Sequence, residues 1–299
     1  MNEENINLTF ELSEDGKSYS VKSFIGNCYE IVIPSHYNGL PVICIGKNAF
    51  YGCSSLTSVI IPNSVKCIAH AAFYGCSSLT SIKIPDSVTD IGDFAFSGCS
   101  SLVDINFGSN VERVGIGAFK HCVSLSSMSG GSIESIGSLA FEGCSSIVSI
   151  TIGNGLKYIG SYAFYNCSSL ISIKLPDTLT SIEAGTFEGC KELDCPQIGK
   201  GVTNIGIRAF KGCKEMLFLT IPDNVVSIGE EAFCGCDILD IVSIGVGVNF
   251  IACDAFAECD SLRMVLYKGT EEQWNNIRVE DGNSDLIEAI IKYNKSFGE

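Results

Sequence analysis

The chain has 299 residues, 46% of them hydrophobic and only 18% charged, and its 19 basic against 34 acidic residues leave a formal net charge of −15. A surface this acidic repels phosphate backbones, which argues against nucleic acid and anionic membrane as partners. No run of about 18 uninterrupted apolar residues is present, so no transmembrane helix and no membrane insertion are expected.

At the N-terminus, MNEENINLTF is acidic and lacks a basic region followed by an apolar run. No secretory leader is therefore read here, and the chain as it stands is expected in the cytoplasm. From Leu8 to Phe24 apolar residues alternate, with Leu8, Phe10 and Leu12 before Glu14-Asp15-Gly16-Lys17 and Tyr19 and Val21 after it. Asp-Gly between alternating runs predicts a hairpin. Ile31-Val32-Ile33-Pro34 and Ile45-Gly46 then read as a degenerate first coil interrupted by a surface loop at residues 35–41. Residues 1–48 are accordingly expected to form an N-terminal cap on the repeats that begin at Ala49.

From Ala49 the sequence repeats. Copies open at Ala49, Ala72, Ala95, Ala118, Ala140, Ala163, Thr186, Ala209, Ala232 and Ala255, a step of 23 residues with 22 once. Self-similarity at this period predicts a solenoid over residues 49–268. Each opening residue is followed by Phe (Phe50 through Phe256) and, three residues later, by Cys (Cys53 through Cys259). One repeat cannot bury its own apolar face, so Phe must stack on Phe and Cys on Cys as interior columns. A run such as Leu79-Thr80-Ser81-Ile82-Lys83-Ile84 then alternates like a strand with one face inward. A corner residue follows: Pro62, Pro85, Pro176 and Pro222 in some copies, Gly108, Gly131, Gly153, Gly199 and Gly245 in others. A second short apolar pair, such as Val88 and Ile91, predicts a shorter strand closed by Gly92. The AFxGC segment is too short for more than one helical turn.

The tail departs at residues 269–299. Thr270 with Gln273 forms a capping box, Trp274 and Ile277 share one helix face, and residues 289–293 are apolar enough for a final strand. This segment is expected to close the C-terminal end.

The combination AFxGCSSLxSIxIPxSVxxIG resembles the BspA-like leucine-rich repeat family from about Ile31 to about Tyr293. The resemblance implies an α/β leucine-rich-repeat solenoid, mostly parallel β with short helical turns. It also implies a non-enzymatic protein-protein interaction scaffold, adhesin-like in its surface members, with an extracellular or host protein as partner and the cell surface as location. An intracellular scaffold is the alternative. The general pattern L-x-x-L-x-L-x-x-N/C-x-L is met only in its first half, by Leu56-x-x-Val59-x-Ile61, and the cysteine column stands in for the usual asparagine ladder.

Ten of the sixteen cysteines form that column; Cys28, Cys44, Cys67, Cys195, Cys234 and Cys253 lie outside it. Column neighbours point the same way rather than at each other, so they read as free buried thiols, more at home in a reducing compartment. No Cys-x-x-Cys pair occurs, and His36, His70 and His121 are far apart, so no metal or other cofactor is expected. His121 precedes Cys122 but merely replaces the usual Gly, so no catalytic pair is read there. The Gly-x-Gly pairs, such as Gly199 and Gly201, lack the following helix of a phosphate loop. Asn7-Leu8-Thr9 and Asn294-Lys295-Ser296 match glycan acceptor sequences.

A binding surface is expected on the outward positions of the main strands. These are small or polar in early copies, with Lys83 and Lys174 among them, and apolar later at Phe218, Ile241, Met264 and Leu266. Exposed apolar stripes mark partner sites. The alternative is that the tail helix lays Trp274 over them.

Overall fold

Each repeat turns once around a shared core, and the same few residues do the same job in every turn. The computed structural model describes residues 8–129 and 132–295. The corner at Gly131 and the ends of the two glycan acceptor sequences at Asn7 and Ser296 lie outside the described residues. The fold is the leucine-rich-repeat solenoid expected from the repeat, with coils of about 23 residues and almost no helix. It divides into two compact units, Met1–Ile147 and Val148–Glu299.

In the first unit every coil contributes one strand to each of two parallel sheets. Glu30–Val32, Ser58–Ile60, Ser81–Lys83, Asp104–Asn106 and Ser127–Ser129 pair in sequence order. So do Tyr19–Phe24, Leu40–Ile45, Cys67–Ile68, Asp90–Ile91, Arg113–Val114 and Ser135–Ile136. The strand Leu8–Leu12 runs antiparallel to Tyr19–Phe24. In the second unit Phe218–Ile221, Ile241–Ile244, Met264–Tyr267 and Ile290–Tyr293 form one parallel sheet. Ser181–Ile182, Asn204–Ile205, Ser227–Ile228, Phe250–Ile251 and Arg278–Val279 form the other.

The Phe column stacks face to face. Phe50, Phe73, Phe96, Phe119 and Phe141 follow one another at ring separations of 4.9, 5.1, 5.1 and 5.3 Å. Phe164, Phe187, Phe210, Phe233 and Phe256 do so at 5.5, 5.2, 5.4 and 5.1 Å. All ten rings are fully buried. The separation is close to the ~4.8 Å spacing of hydrogen-bonded strands, so stacking is the only arrangement open to a Phe recurring once per coil.

The cysteine column has a hydrogen-bond role that the repeat alone does not disclose. From Cys76 onward, column thiols donate to the Phe carbonyl of the preceding coil, as Cys76 does to Phe50 at 3.1 Å, Cys122 to Phe96 at 3.1 Å and Cys190 to Phe164 at 3.2 Å. Burial pushes the Cys76 and Cys259 thiols up to about 12 and those of Cys99, Cys122, Cys213 and Cys236 well above the ordinary value. A thiol that cannot ionise is not a nucleophile.

Cys44 and Cys67, which the column leaves unassigned, sit directly opposite on adjacent strands and form a disulfide with a Cα separation of 4.9 Å. A second difference concerns residues 35–41. In place of a loop, His36–Tyr37 pairs antiparallel with Leu40–Ile45 across a tight turn, with Asn38 and Gly39 both left-handed at φ 46° and 81°. Asn-Gly is a strong signal for such a turn.

The AFxGC segments are runs of tight turns closed by i to i+3 backbone bonds, such as Ala72 to Ala69, Tyr74 to Ala71 and Cys76 to Phe73. They need two left-handed residues per coil. One is the recurring glycine before the column cysteine, as at Gly75, φ 70°. The other, immediately before the small residue, is Asn48, Ala71, Phe94, Gly117, Leu139, Tyr162, Gly185, Arg208, Glu231 or Asp254, at φ between 51° and 61°. A left-handed non-glycine residue costs about 1–2 kcal/mol. The return is a backbone bond between coils: the Ala71 N–H donates to Asp93 at 2.8 Å and the Phe94 N–H to Ile116 at 2.7 Å.

The C-terminal end is closed by side chains acting as backbone. Within the stack, the Phe233 N–H donates to the Ala255 carbonyl of the next coil at 2.8 Å. After the last coil, the Phe256 N–H donates to Asn283 Oδ1 at 3.0 Å and the Cys259 N–H to Asp285 Oδ2 at 3.0 Å. Asn283 Nδ2 donates in turn to the carbonyls of Ala252 and Glu280, both at 2.9 Å. The capping box of helix Glu271–Asn275 is present in both directions between Thr270 and Gln273.

Candidate partner-binding face

Alternation along the strands of the second unit decides which side chains face out. Leu219, Val242 and Val265, with Ile221, Ile244 and Tyr267, are buried inward. The residues between them stand on the outer face. Register aligns Phe218, Ile241, Met264 and Ile290 in one row and Thr220, Ser243, Leu266 and Lys292 in the next. Phe218, Ile241, Met264 and Leu266 are half-buried, while Ile290 is 63% exposed. Ser243 is fully buried between Thr220 and Leu266, and its hydroxyl has no hydrogen-bond partner among the described residues.

The sequence-predicted residues thus divide. Phe218, Ile241 and Met264 come together in one row, with Leu266 beside them in the next. Lys174, bridged to Gln197, occupies the same repeat position as Thr220 and Leu266 and is exposed. Lys83 lies in the other unit, opposite Asn106. Ile290 and Cys195 were not anticipated. Ile290 is carried there by the tail strand, whose register is set by pairing to Met264–Tyr267. Cys195 precedes Phe218 by 23 residues and is the exposed member among the described free thiols. The 23-residue count from Phe218 was the signal that finds it. Trp274 meets the ring of Tyr267, an inward-facing side chain, edge-on at 5.3 Å.

Charged pairs flank the rows. At the entrance of the strands Arg263 Nη2 donates to Asp240 Oδ2 at 2.6 Å, and this hydrogen bond holds the Asp240 carboxyl below its ordinary range. At the exit Lys268 meets Asp223 at 3.0 Å. The His121–Cys122 sequence makes no reactive pair: His121 is exposed at φ 59°, whereas Cys122 is buried with its thiol on the Phe96 carbonyl.

The family model for the BspA type leucine rich repeat region matches residues 20–147 and 134–263. The chain belongs to the BspA-type leucine-rich-repeat family. Its fold is similar to that of a leucine-rich-repeat protein from T. pallidum, with 32% identity, TM-score 0.54, and coverage of 70% of this chain and 88% of that one. A leucine-rich cell surface protein from Faecalibacterium prausnitzii A2-165 is 25% identical over 97% of this chain and 94% of that one, with TM-score 0.47. A leucine-rich-repeat protein from Bacteroides ovatus is 24% identical over 97% and 98%, with TM-score 0.39. Among curated proteins none matches the chain in sequence. Leucine-rich-repeat proteins generally bind protein ligands, and membership suggests an interaction scaffold. Among the described residues no helix is long and apolar enough to cross a membrane.

Proposed function

We propose that this BspA-type chain is a non-enzymatic, adhesin-like scaffold that holds a protein ligand against the outer face of the sheet formed by Phe218–Ile221, Ile241–Ile244, Met264–Tyr267 and Ile290–Tyr293. The observation that carries this reading is the row Phe218, Ile241, Met264 and Ile290, apolar side chains aligned on four hydrogen-bonded strands and left partly open to water. A contiguous apolar patch on a chain of net charge −15 is the kind of surface that marks a protein contact. Leu266 widens the row, and Lys174 supplies a polar contact on the same outward positions. Residues 49–268 act as the recognition array, with 1–48 and 269–299 as its closures. The Cys44–Cys67 disulfide favours an oxidising location and so the adhesin role.

Cys195 provides the means of testing the face. A photo-crosslinker on this thiol should capture a protein ligand, and Phe218→Ser with Met264→Ser should abolish capture while the circular dichroism spectrum is unchanged. Equal capture by the double variant would refute the reading. Protease treatment of intact cells separates the locations: degradation supports adhesion, whereas protection favours the intracellular scaffold, the reading supported by the fourteen free thiols.

A further inference from the structure

At the exit of the same strands the outer face ends in a notch of about 310 Å³. Lys200, Thr220, Pro222, Asp223, Asn224 and Lys268 line it. Its chemistry is the reverse of the surface around it. The chain carries 34 acidic residues, yet the carboxylate in the notch, Asp223, is engaged by Lys268 at 3.0 Å. Lys200 is exposed and has no ion pair among the described residues. Its backbone is held at both ends, its N–H donating to Asp177 Oδ1 at 2.7 Å and its carbonyl accepting from Asn224 Nδ2 at 2.6 Å. The ammonium is therefore mounted on a fixed corner. Thr220 adds an exposed hydroxyl with no protein partner among the described residues.

We propose that this notch receives a carboxylate side chain of the protein ligand, held by the Lys200 and Lys268 ammonium groups and the Thr220 hydroxyl. The inference rests on the reading of the neighbouring row as the ligand face and adds the chemistry that the ligand must carry. A net negative surface selects against acidic partners in general, so two amines beside one engaged acid form a local exception that admits an acid only in register. Ammonium-carboxylate hydrogen bonds are about twice as strong as neutral ones. The register is set by the strand. Thr220 comes two residues after Phe218, about 7 Å along the strand, so an extended ligand running parallel to it, as the strands of this sheet run to one another, would place an apolar residue on the row and Asp or Glu two positions later in the notch. The occupant is a protein segment of the form apolar-x-acidic.

A random twelve-residue peptide library selected on the full chain tests this. Enriched peptides should carry Asp or Glu two residues after an apolar one. Replacing that acid by its amide should weaken binding about tenfold, and Lys200→Ala or Lys268→Ala should impose the same loss on the acidic peptide and none on its amide counterpart. Lys17→Ala, an equal charge change in the N-terminal turn, should change neither. Enrichment without an acid, or an acid dependence that survives both lysine variants, overturns the proposal. If peptides then still bind through Phe218 and Met264, only the notch assignment falls. If no peptide is enriched, the ligand face falls with it.

Discussion

Removing the amide of Asn283 tests whether the stack is closed by one side chain imitating a coil. Asn283 is 1% exposed, accepts from the Phe256 N–H at 3.0 Å and donates to the carbonyls of Ala252 and Glu280 at 2.9 Å. In Asn283→Ala the Phe256 N–H is left buried without a partner, at a cost of about 1–3 kcal/mol, and two further bonds are lost at about 0.5–1.5 kcal/mol each. The sum, about 2–6 kcal/mol, is a large share of the about 5–15 kcal/mol that holds a domain together. With a urea dependence of about 2 kcal/mol per molar, the midpoint should fall by about 1–3 M, and the Phe256 amide should lose its protection from hydrogen exchange. Asn283→Asp sharpens the test. It keeps the acceptor for Phe256 but turns a carboxylate on the two carbonyls, so it should be at least as damaging as Ala at neutral pH. A midpoint shift below about 0.3 M for Asn283→Ala, or recovery of stability in Asn283→Asp, would refute the closure argument.

Three other outcomes are expected from the same geometry. Phe210→Ala, which removes a fully buried ring stacked on Phe187 and Phe233, should cost about 3–5 kcal/mol in chemical denaturation, whereas the exposed Tyr158→Ala should cost under about 0.5 kcal/mol. Reducing the Cys44–Cys67 bridge, or replacing both residues by Ser, should lower stability by about 3 kcal/mol, the value for a closed loop of this length, measured as the fall in urea midpoint with and without reductant. The hydrogen bond from Arg263 lowers the Asp240 carboxyl from its ordinary 3.8. Its contribution is therefore present above pH 3.8 and is lost as pH falls through the lower folded value. Asp240→Asn should lower the melting temperature at pH 7 and leave it unchanged near pH 2; an equal effect at both would contradict the pairing.

Much of the architecture was written in the spacing of residues. A 23-residue step in which Phe and Cys recur at fixed offsets admits only a stack, because an apolar side chain once per coil has no buried neighbour except its own copy. The outward row was legible for a related reason: strand alternation assigns Phe218, Ile241 and Met264 to one face whatever the partner strands turn out to be. The capping box at Thr270 is local chemistry over four residues and needs no tertiary information.

Other features required the chain to be folded. The left-handed residue before each small residue is Ala71 in one coil and Phe94 in the next, so no residue type marks it; it is imposed by the bond that its N–H makes to the following coil. Cys44 and Cys67 resemble their fourteen fellows in sequence and bridge only because two strands bring them opposite one another. Asn283 reads as a polar loop residue until the Phe256 N–H is found to lack the carbonyl that a following copy of the turn segment would supply. Lys200 and Lys268, 68 positions apart in the chain, share a notch because successive coils stack. Periodicity determined what each coil buries. The contacts between coils and at their ends decided which backbone groups needed a partner, and these depend on distances in space that no local pattern encodes.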